Sequence, residues 1–151
     1  WIIVLWQQNR ELRSENEVLA GQVQWLDREI SRSEEFVTIL SKPGARFTTL
    51  EGGGEGAYWS AYLVYDTTGR ALLLSRGLPP APAGKEYQLW FIVGKNPPIP
   101  GKTFAPDNSG RGELSDQIPR QARDSAVFAV TLERAGGVSA PTSQIYLRGS
   151  L

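Results

Sequence analysis

Gly101-Lys102-Thr103 is the stretch of this chain whose residue types most invite a chemical reading. A phosphate-binding loop runs Gly-x-x-x-x-Gly-Lys-Ser/Thr, with backbone N–H groups cradling the phosphates. The leading glycine would fall at position 96, which is Asn96, and Pro97, Pro98 and Pro100 remove N–H donors from the cradle. The stretch reads instead as a rigid loop. Asp107-Asn108-Ser109-Gly110 starts like a calcium loop, but its glycine comes too early and the alternating acidic ligands are missing. A turn tolerant of left-handed backbone accounts for it better. Asp107, Glu113, Asp116, Asp124 and Glu133 are carboxylates of the kind that a glycosidase pairs as acid and nucleophile. Their spacing singles out no pair, and solvated strand ends are the simpler assignment.

Composition narrows the chemistry further. The 151 residues include no His and no Cys. The usual zinc ligands, the Cys and His nucleophile–base arrangements and the side chain best suited to proton transfer near neutral pH are therefore absent. The expectation is a protein that is not an enzyme and holds no cofactor or metal. Sixteen basic and sixteen acidic residues cancel, so no basic stripe marks a nucleic-acid partner. Met is absent even at position 1, which is expected of a piece of a longer protein.

The elements that would position these residues fall into two kinds. From Gln7 to about Leu40 there is no proline and one glycine, Gly21. Leu5, Leu12, Leu19 and Leu26 recur every seven residues at the d position of a heptad. Ile2, Asn9, Asn16 and Val23 stand three residues before them at a, and Ile30, Val37 and Leu40 continue the seam, which lapses at Ser33. Asn at a favours a parallel two-stranded coiled coil, because two Asn pair across the seam and fix its register. The flanking positions argue the other way, since Glu29 would face Glu34 of a partner. A parallel homodimer and a helix folded back on its own chain through Trp25 and Phe36 both stay open. Ahead of the stalk, Trp1-Ile2-Ile3-Val4-Leu5-Trp6 is too short to cross a bilayer, which takes about 20 residues. Residues 1–6 read either as the end of a truncated transmembrane helix with an interfacial Trp pair or as an apolar helix start.

Lys42-Pro43-Gly44 ends the helical pattern and bounds the stalk at residues 7–42. Residues 43–151 alternate short β-rich runs with Gly and Pro punctuation. The runs are Arg46–Leu50, Ala57–Tyr65, Arg70–Ser75, Glu86–Val93, Ala126–Glu133 and Gln144–Arg148. Short strands at regular spacing without intervening helices predict a mainly β fold, an antiparallel β-sandwich preceded by a long N-terminal α-helix with coiled-coil heptads. Tyr87–Val93 and Val127–Leu132 are apolar on both faces over most of their length, so both are expected in central positions, with their aromatics in the core.

Several ordered motifs in this β region carry a resemblance. Lys85-Glu86-Tyr87-Gln88-Leu89-Trp90, Pro100-Gly101 with Phe104, Phe128-Ala129-Val130-Thr131-Leu132-Glu133, Gly136-Gly137 and Pro141-Thr142 occur in sequence. Gly77-Leu78-Pro79-Pro80 precedes them and Leu147-Arg148-Gly149 follows. This series resembles the C-terminal domain of the anti-sigma-K factor (RskA) family. The resemblance runs from about Tyr58 to Gly149 and leaves the stalk outside it. It implies a single-pass inner-membrane protein with this region extracytoplasmic or periplasmic. The implied partners are a sigma factor, held by a cytoplasmic domain not in this chain, and site-specific proteases. It transfers no ligand residues. Physically, the motif strands Tyr87–Trp90 and Phe128–Leu132 are expected to face each other across the sandwich, with Gly136-Gly137 and Pro141 shaping the last connection.

The resulting expectation is the outer portion of a membrane anti-sigma factor, acting as sensor or gate for regulated proteolysis and dimerising through the stalk. The alternative is a ligand-binding β-sandwich for carbohydrate or another envelope component, its mouth formed by residues 94–103 and 104–113, with Phe104 as the one aromatic there.

Overall fold

A computed structural model of the chain describes residues 1–124 and 126–150, and for residues 25, 29, 30 and 32 the backbone only. Two compact units divide it, Trp1–Val37 and Thr38–Leu151. The first consists of helix α1, which runs Ile2–Leu40 over 39 residues. At 1.5 Å per residue it is about 58 Å long. Of the predicted seam, Leu5, Leu12, Leu19, Val23, Leu26, Val37 and Leu40 are exposed, as are Asn9 and Asn16. The side chains of Ile30, Glu29 and Trp25 lie outside the described residues. The Arg10 guanidinium sits 4.6 Å over the Trp6 ring, one helical turn away. Among the described residues no helix is long and apolar enough to cross a membrane.

The last helical turn belongs to the second unit, and there Ile39 is fully buried. The helix stops because Ser41 Oγ donates to the Thr38 carbonyl and Lys42 N to the Ile39 carbonyl, while Gly44 takes φ +76°. Eight antiparallel strands follow: β1 (Arg46–Glu51), β2 (Ser60–Tyr65), β3 (Arg70–Arg76), β4 (Lys85–Val93), β5 (Ile99–Phe104), β6 (Gly112–Gln117), β7 (Ala126–Arg134) and β8 (Ile145–Ser150). They form one sheet in the order β5-β4-β7-β8-β1-β2-β3-β6. The expected sandwich is thus a single sheet curled into a nearly closed barrel, because β8 pairs with both β7 and β1 and joins the two halves. Its free edges come together where Lys102 N of β5 donates to Asp116 Oδ2 of β6 at 2.8 Å.

Two expectations about strands are corrected. β4 and β7 do not face each other across a core. They are hydrogen-bonded neighbours over nine residue pairs, from Lys85↔Arg134 to Val93↔Ala126. Both are apolar on two faces because one face lines the barrel and the other is roofed by chain. Residues 94–113 are not a pair of mouth loops either, since they contain β5 and the start of β6. Pro100 is tolerated because β5 is an edge strand. Gly101 is required there: a Cβ would come within 2.8 Å of both the Leu89 carbonyl and Asp116 Oδ2.

The barrel interior is packed with side chains. Tyr65, Tyr87, Phe91, Phe104 and Phe128 all belong to this core, and Phe128 meets Tyr65 edge-to-face at 5.8 Å and Phe91 at 6.1 Å. Phe104 stacks on Tyr87 at 5.9 Å and is 5% exposed, so it belongs to the core and not to a ligand mouth. A β-bulge puts Tyr146 between Leu147 and Ile145, turning its ring onto Trp59 at 5.3 Å and Tyr87 at 5.5 Å. Ser75 is the discordant residue. Its Oγ is buried without a hydrogen-bond partner, and a Cβ on Gly112 would lie 2.7 Å from it. Ser75→Ala removes an orphaned hydroxyl without adding volume and is expected to stabilise the fold by about 1 kcal/mol in urea denaturation. A loss of stability would mean that the hydroxyl has a partner after all.

Candidate functional site

Residues from several of the recognised motifs meet on the outer face of β4 and β7. Tyr87, Leu89 and Phe91 point into the barrel, so Gln88 and Trp90 point outward, as do Thr131 and Glu133 of β7. All four are nonetheless almost fully buried. The Trp90 indole N–H donates to Thr131 Oγ1 at 2.8 Å, and Thr131 Oγ1 donates to Glu133 Oε1 at 2.7 Å. The Glu133 carboxylate then receives the Thr142 amide at 3.0 Å, the Ser143 amide at 3.4 Å and the Thr142 hydroxyl. Gln88 copies a backbone unit: its Oε1 accepts from Val138 N at 2.9 Å and its Nε2 donates to Val138 O at 3.0 Å. It also reaches the Gly101 carbonyl of β5 at 3.3 Å. Residues 135–144, between β7 and β8, are therefore clasped across the outside of the sheet, with Gly136 and Gly137 at φ +87° and +86° making the reversal.

Glu133 is thus not a solvated strand end. Burial raises the pKa of its carboxyl, but the hydrogen bonds from Thr142, Thr131 and Ser143 outweigh it and hold it below the usual carboxylate range. The other carboxylates go to separate tasks. Asp116 closes the barrel edge, Asp107 folds its own turn, and Asp124 contacts Arg46 at 3.2 Å. Among the described residues no group of three or more His, Cys, Asp or Glu is placed to hold a metal ion. Lys102 N is taken by the Asp116 carboxylate, and the Gly101 carbonyl accepts from the Gln88 side chain.

A second constellation is built around Asp66, at the turn between β2 and β3. Asp66, 2% exposed, accepts from Lys42 Nζ at 2.8 Å, Thr68 N at 2.9 Å, Thr68 Oγ1 at 2.5 Å and Arg70 N at 3.2 Å. Burial raises its pKa, but the Lys42 ammonium and the three turn donors prevail and hold it well below the usual carboxylate range. Asp107 builds the same Asp-x-Ser/Thr-Gly-Arg turn between β5 and β6. Its Oδ1 accepts from Ser109 N at 2.9 Å, Ser109 Oγ at 2.6 Å and Arg111 N at 3.1 Å. In both turns the glycine has positive φ, +88° at Gly69 and +79° at Gly110. Sequence reasoning identified the Asp107 segment as a turn but missed the Lys42–Asp66 tie, which pairs residues 24 positions apart.

Beside that tie, a groove of about 470 Å³ is lined by Arg46, Tyr65, Asp66, Arg120, Arg123 and Asp124, among others. Tyr65 Oη donates to the Arg123 carbonyl at 2.8 Å, and burial pushes its pKa up.

Comparison with known proteins matches this arrangement to one family. The family model described as anti-sigma-K factor rskA, C-terminal, matches residues 2–145. It takes in the helix, which the motifs alone leave outside, so the stalk is part of what the family shares. A protein of Streptomyces griseus named "Uncharacterized protein in phr 5'region" is 27% identical over 142 residues, covering 85% of this chain and 52% of that protein. The chain therefore spans about half the length of that relative. No solved structure matches. With the helix and strands β1 to β7 inside the family match, the chain belongs to the anti-sigma-K factor rskA C-terminal family.

Proposed function

We propose that this chain is the extracytoplasmic portion of a single-pass anti-sigma factor in the inner membrane, acting as sensor and gate for regulated proteolysis. The observation that carries this reading is the family match over residues 2–145, which takes in the stalk together with strands β1 to β7. In this reading residues 1–6 end a membrane-crossing helix, residues 7–42 are the stalk, and a domain outside this chain holds the sigma factor. The stalk dimerises in parallel through Leu5, Asn9, Leu12, Asn16, Leu19, Val23, Leu26, Ile30, Val37 and Leu40. Support for the dimer comes from the described apolar seam residues, which stay exposed along a helix about 58 Å long. Pairing the stalks and holding the barrel folded would restrict the access of a protease to the chain beside the membrane.

Deleting residues 43–151 from the full-length protein is expected to alter its proteolytic processing and its sigma-dependent transcription. Unchanged processing together with unchanged transcription sinks the proposal. The dimer is tested separately by analytical ultracentrifugation. Leu12→Lys with Leu19→Lys puts charge on two d positions and is expected to convert a concentration-dependent dimer to a monomer. A wild-type chain that stays monomeric at high concentration removes the dimer and leaves the gating reading to the deletion experiment.

A further inference from the structure

The groove beside the Lys42–Asp66 tie gathers three guanidinium groups, Arg46, Arg120 and Arg123, against two carboxylates. The carboxylates do not balance them evenly. Asp66 is committed to Lys42, Thr68 and Arg70, and at 2% exposure it has little left to offer the groove. Asp124 meets Arg46 through a single 3.2 Å contact, with its side chain 85% exposed. Such a pair is weakly coupled and readily displaced.

The arginines differ in how they are held. Arg123 is fixed by two backbone carbonyls: its Nε donates to Ile118 at 3.1 Å and its Nη1 to Thr67 at 3.2 Å. A guanidinium has five N–H donors in a planar fork, so Arg123 keeps donors to spare in a set orientation. Its backbone is anchored too, since its carbonyl accepts from Tyr65 Oη. Arg120 is exposed, and among the described residues its guanidinium makes no ion pair or hydrogen bond. A preoriented guanidinium flanked by one unpaired and one loosely paired neighbour is the arrangement that accepts the oxygens of a phosphate or carboxylate.

We infer that this groove is an anion-binding site that takes a phosphate or carboxylate group of a small ligand through Arg46, Arg120 and Arg123. The incoming group displaces Asp124 from Arg46. The groove wall includes Gly44, Ala45 and Arg46, the residues that lead from the helix into β1. A bound anion therefore holds that connection. The binding inference does not depend on the anti-sigma reading, because it concerns the barrel unit alone.

Titration of the chain with inorganic phosphate, and separately with acetate, at constant ionic strength set by sodium chloride tests it. Saturable amide shifts in NMR are expected at Ala45, Arg46, Thr67 and Arg120 through Asp124. Arg46→Gln and Arg120→Gln each remove a charged donor at an exposed position and are expected to weaken binding about tenfold. Asp124→Asn removes the competing carboxylate and is expected to tighten it about threefold. Arg28→Gln, on the stalk, is expected to leave affinity unchanged. Saturation by phosphate alone or by acetate alone supports the site and assigns the group. Shifts that rise without saturation, or that persist unaltered in the Arg46→Gln, Arg120→Gln double variant, overturn it.

Discussion

Trp90→Ala is expected to destabilise the barrel by about 4 kcal/mol, the range found when a buried aromatic is truncated to Ala. Trp90 is fully buried although it points away from the barrel interior. Residues 135–144 lie across that face, tied to Gln88 at Val138 and to Glu133 at Thr142 and Ser143. Truncation opens a cavity beneath that segment and also leaves Thr131 Oγ1 without its indole donor. Trp90→Phe keeps much of the packing but loses the donor and leaves a smaller cavity, so it is expected to cost about 2 kcal/mol. Glu133→Ala leaves the Thr142 and Ser143 amides without their acceptor, at about 3 kcal/mol. The two sites share Thr131, so the Trp90→Phe, Glu133→Ala double variant should cost less than the two single costs added together. Equilibrium urea unfolding reads all of these. Strict additivity would show that the indole, hydroxyl and carboxylate do not act as one network.

Asp66→Ala is expected to cost about 3 kcal/mol, because four donors, one of them an ammonium, lose a buried carboxylate at once. Asp107→Ala removes the same turn geometry from a solvated position, where water replaces the carboxylate, and is expected to cost much less. The contrast isolates burial and the Lys42 partner from the turn itself. Acid sensitivity should follow the same residues. Asp66 and Glu133 both have folded-state pKa values below their unfolded ones. Their contribution is complete above the unfolded values, so stability should be level above about pH 5. It should fall as the pH drops toward the folded values, since protonation then becomes easier in the unfolded chain. Asp66→Asn is expected to flatten the acid limb. A limb equally steep in Asp66→Asn and wild type would place the acid sensitivity elsewhere.

The clasp accounts for motifs that are separated along the chain. Gln88 and Trp90 on β4, Thr131 and Glu133 on β7, and Thr142 beyond Gly136-Gly137 lie within one hydrogen-bonded surface. These motif residues thus hold the β7–β8 connection, while Tyr87, Leu89, Phe104 and Phe128 of the same motifs pack the barrel interior. The anion groove and the stalk seam are built from other residues.

The helix, six of the eight strands and the turn character of Asp107–Gly110 were legible in the sequence, because each depends on residues close in the chain. A heptad needs only α-helical geometry, and an Asp-x-Ser/Thr-Gly turn needs only its own donors and a glycine at positive φ. The tertiary structure decided the rest. β5 was hidden by Pro98, Pro100 and Gly101, which read as loop until an edge position excuses the missing N–H and the Leu89 carbonyl excludes a Cβ. Whether β4 and β7 pair or face each other depends on which hydrogen-bond ladder closes, and alternation of side chains is the same in both cases. Glu133 looked like any polar strand end, because an acid is buried only where distant groups replace its water, here Thr142 and Ser143. Local pattern therefore determined which segments are helix, strand and turn. The partners of Trp90, Asp66 and Glu133 were settled by long-range packing, which no spacing along the chain encodes.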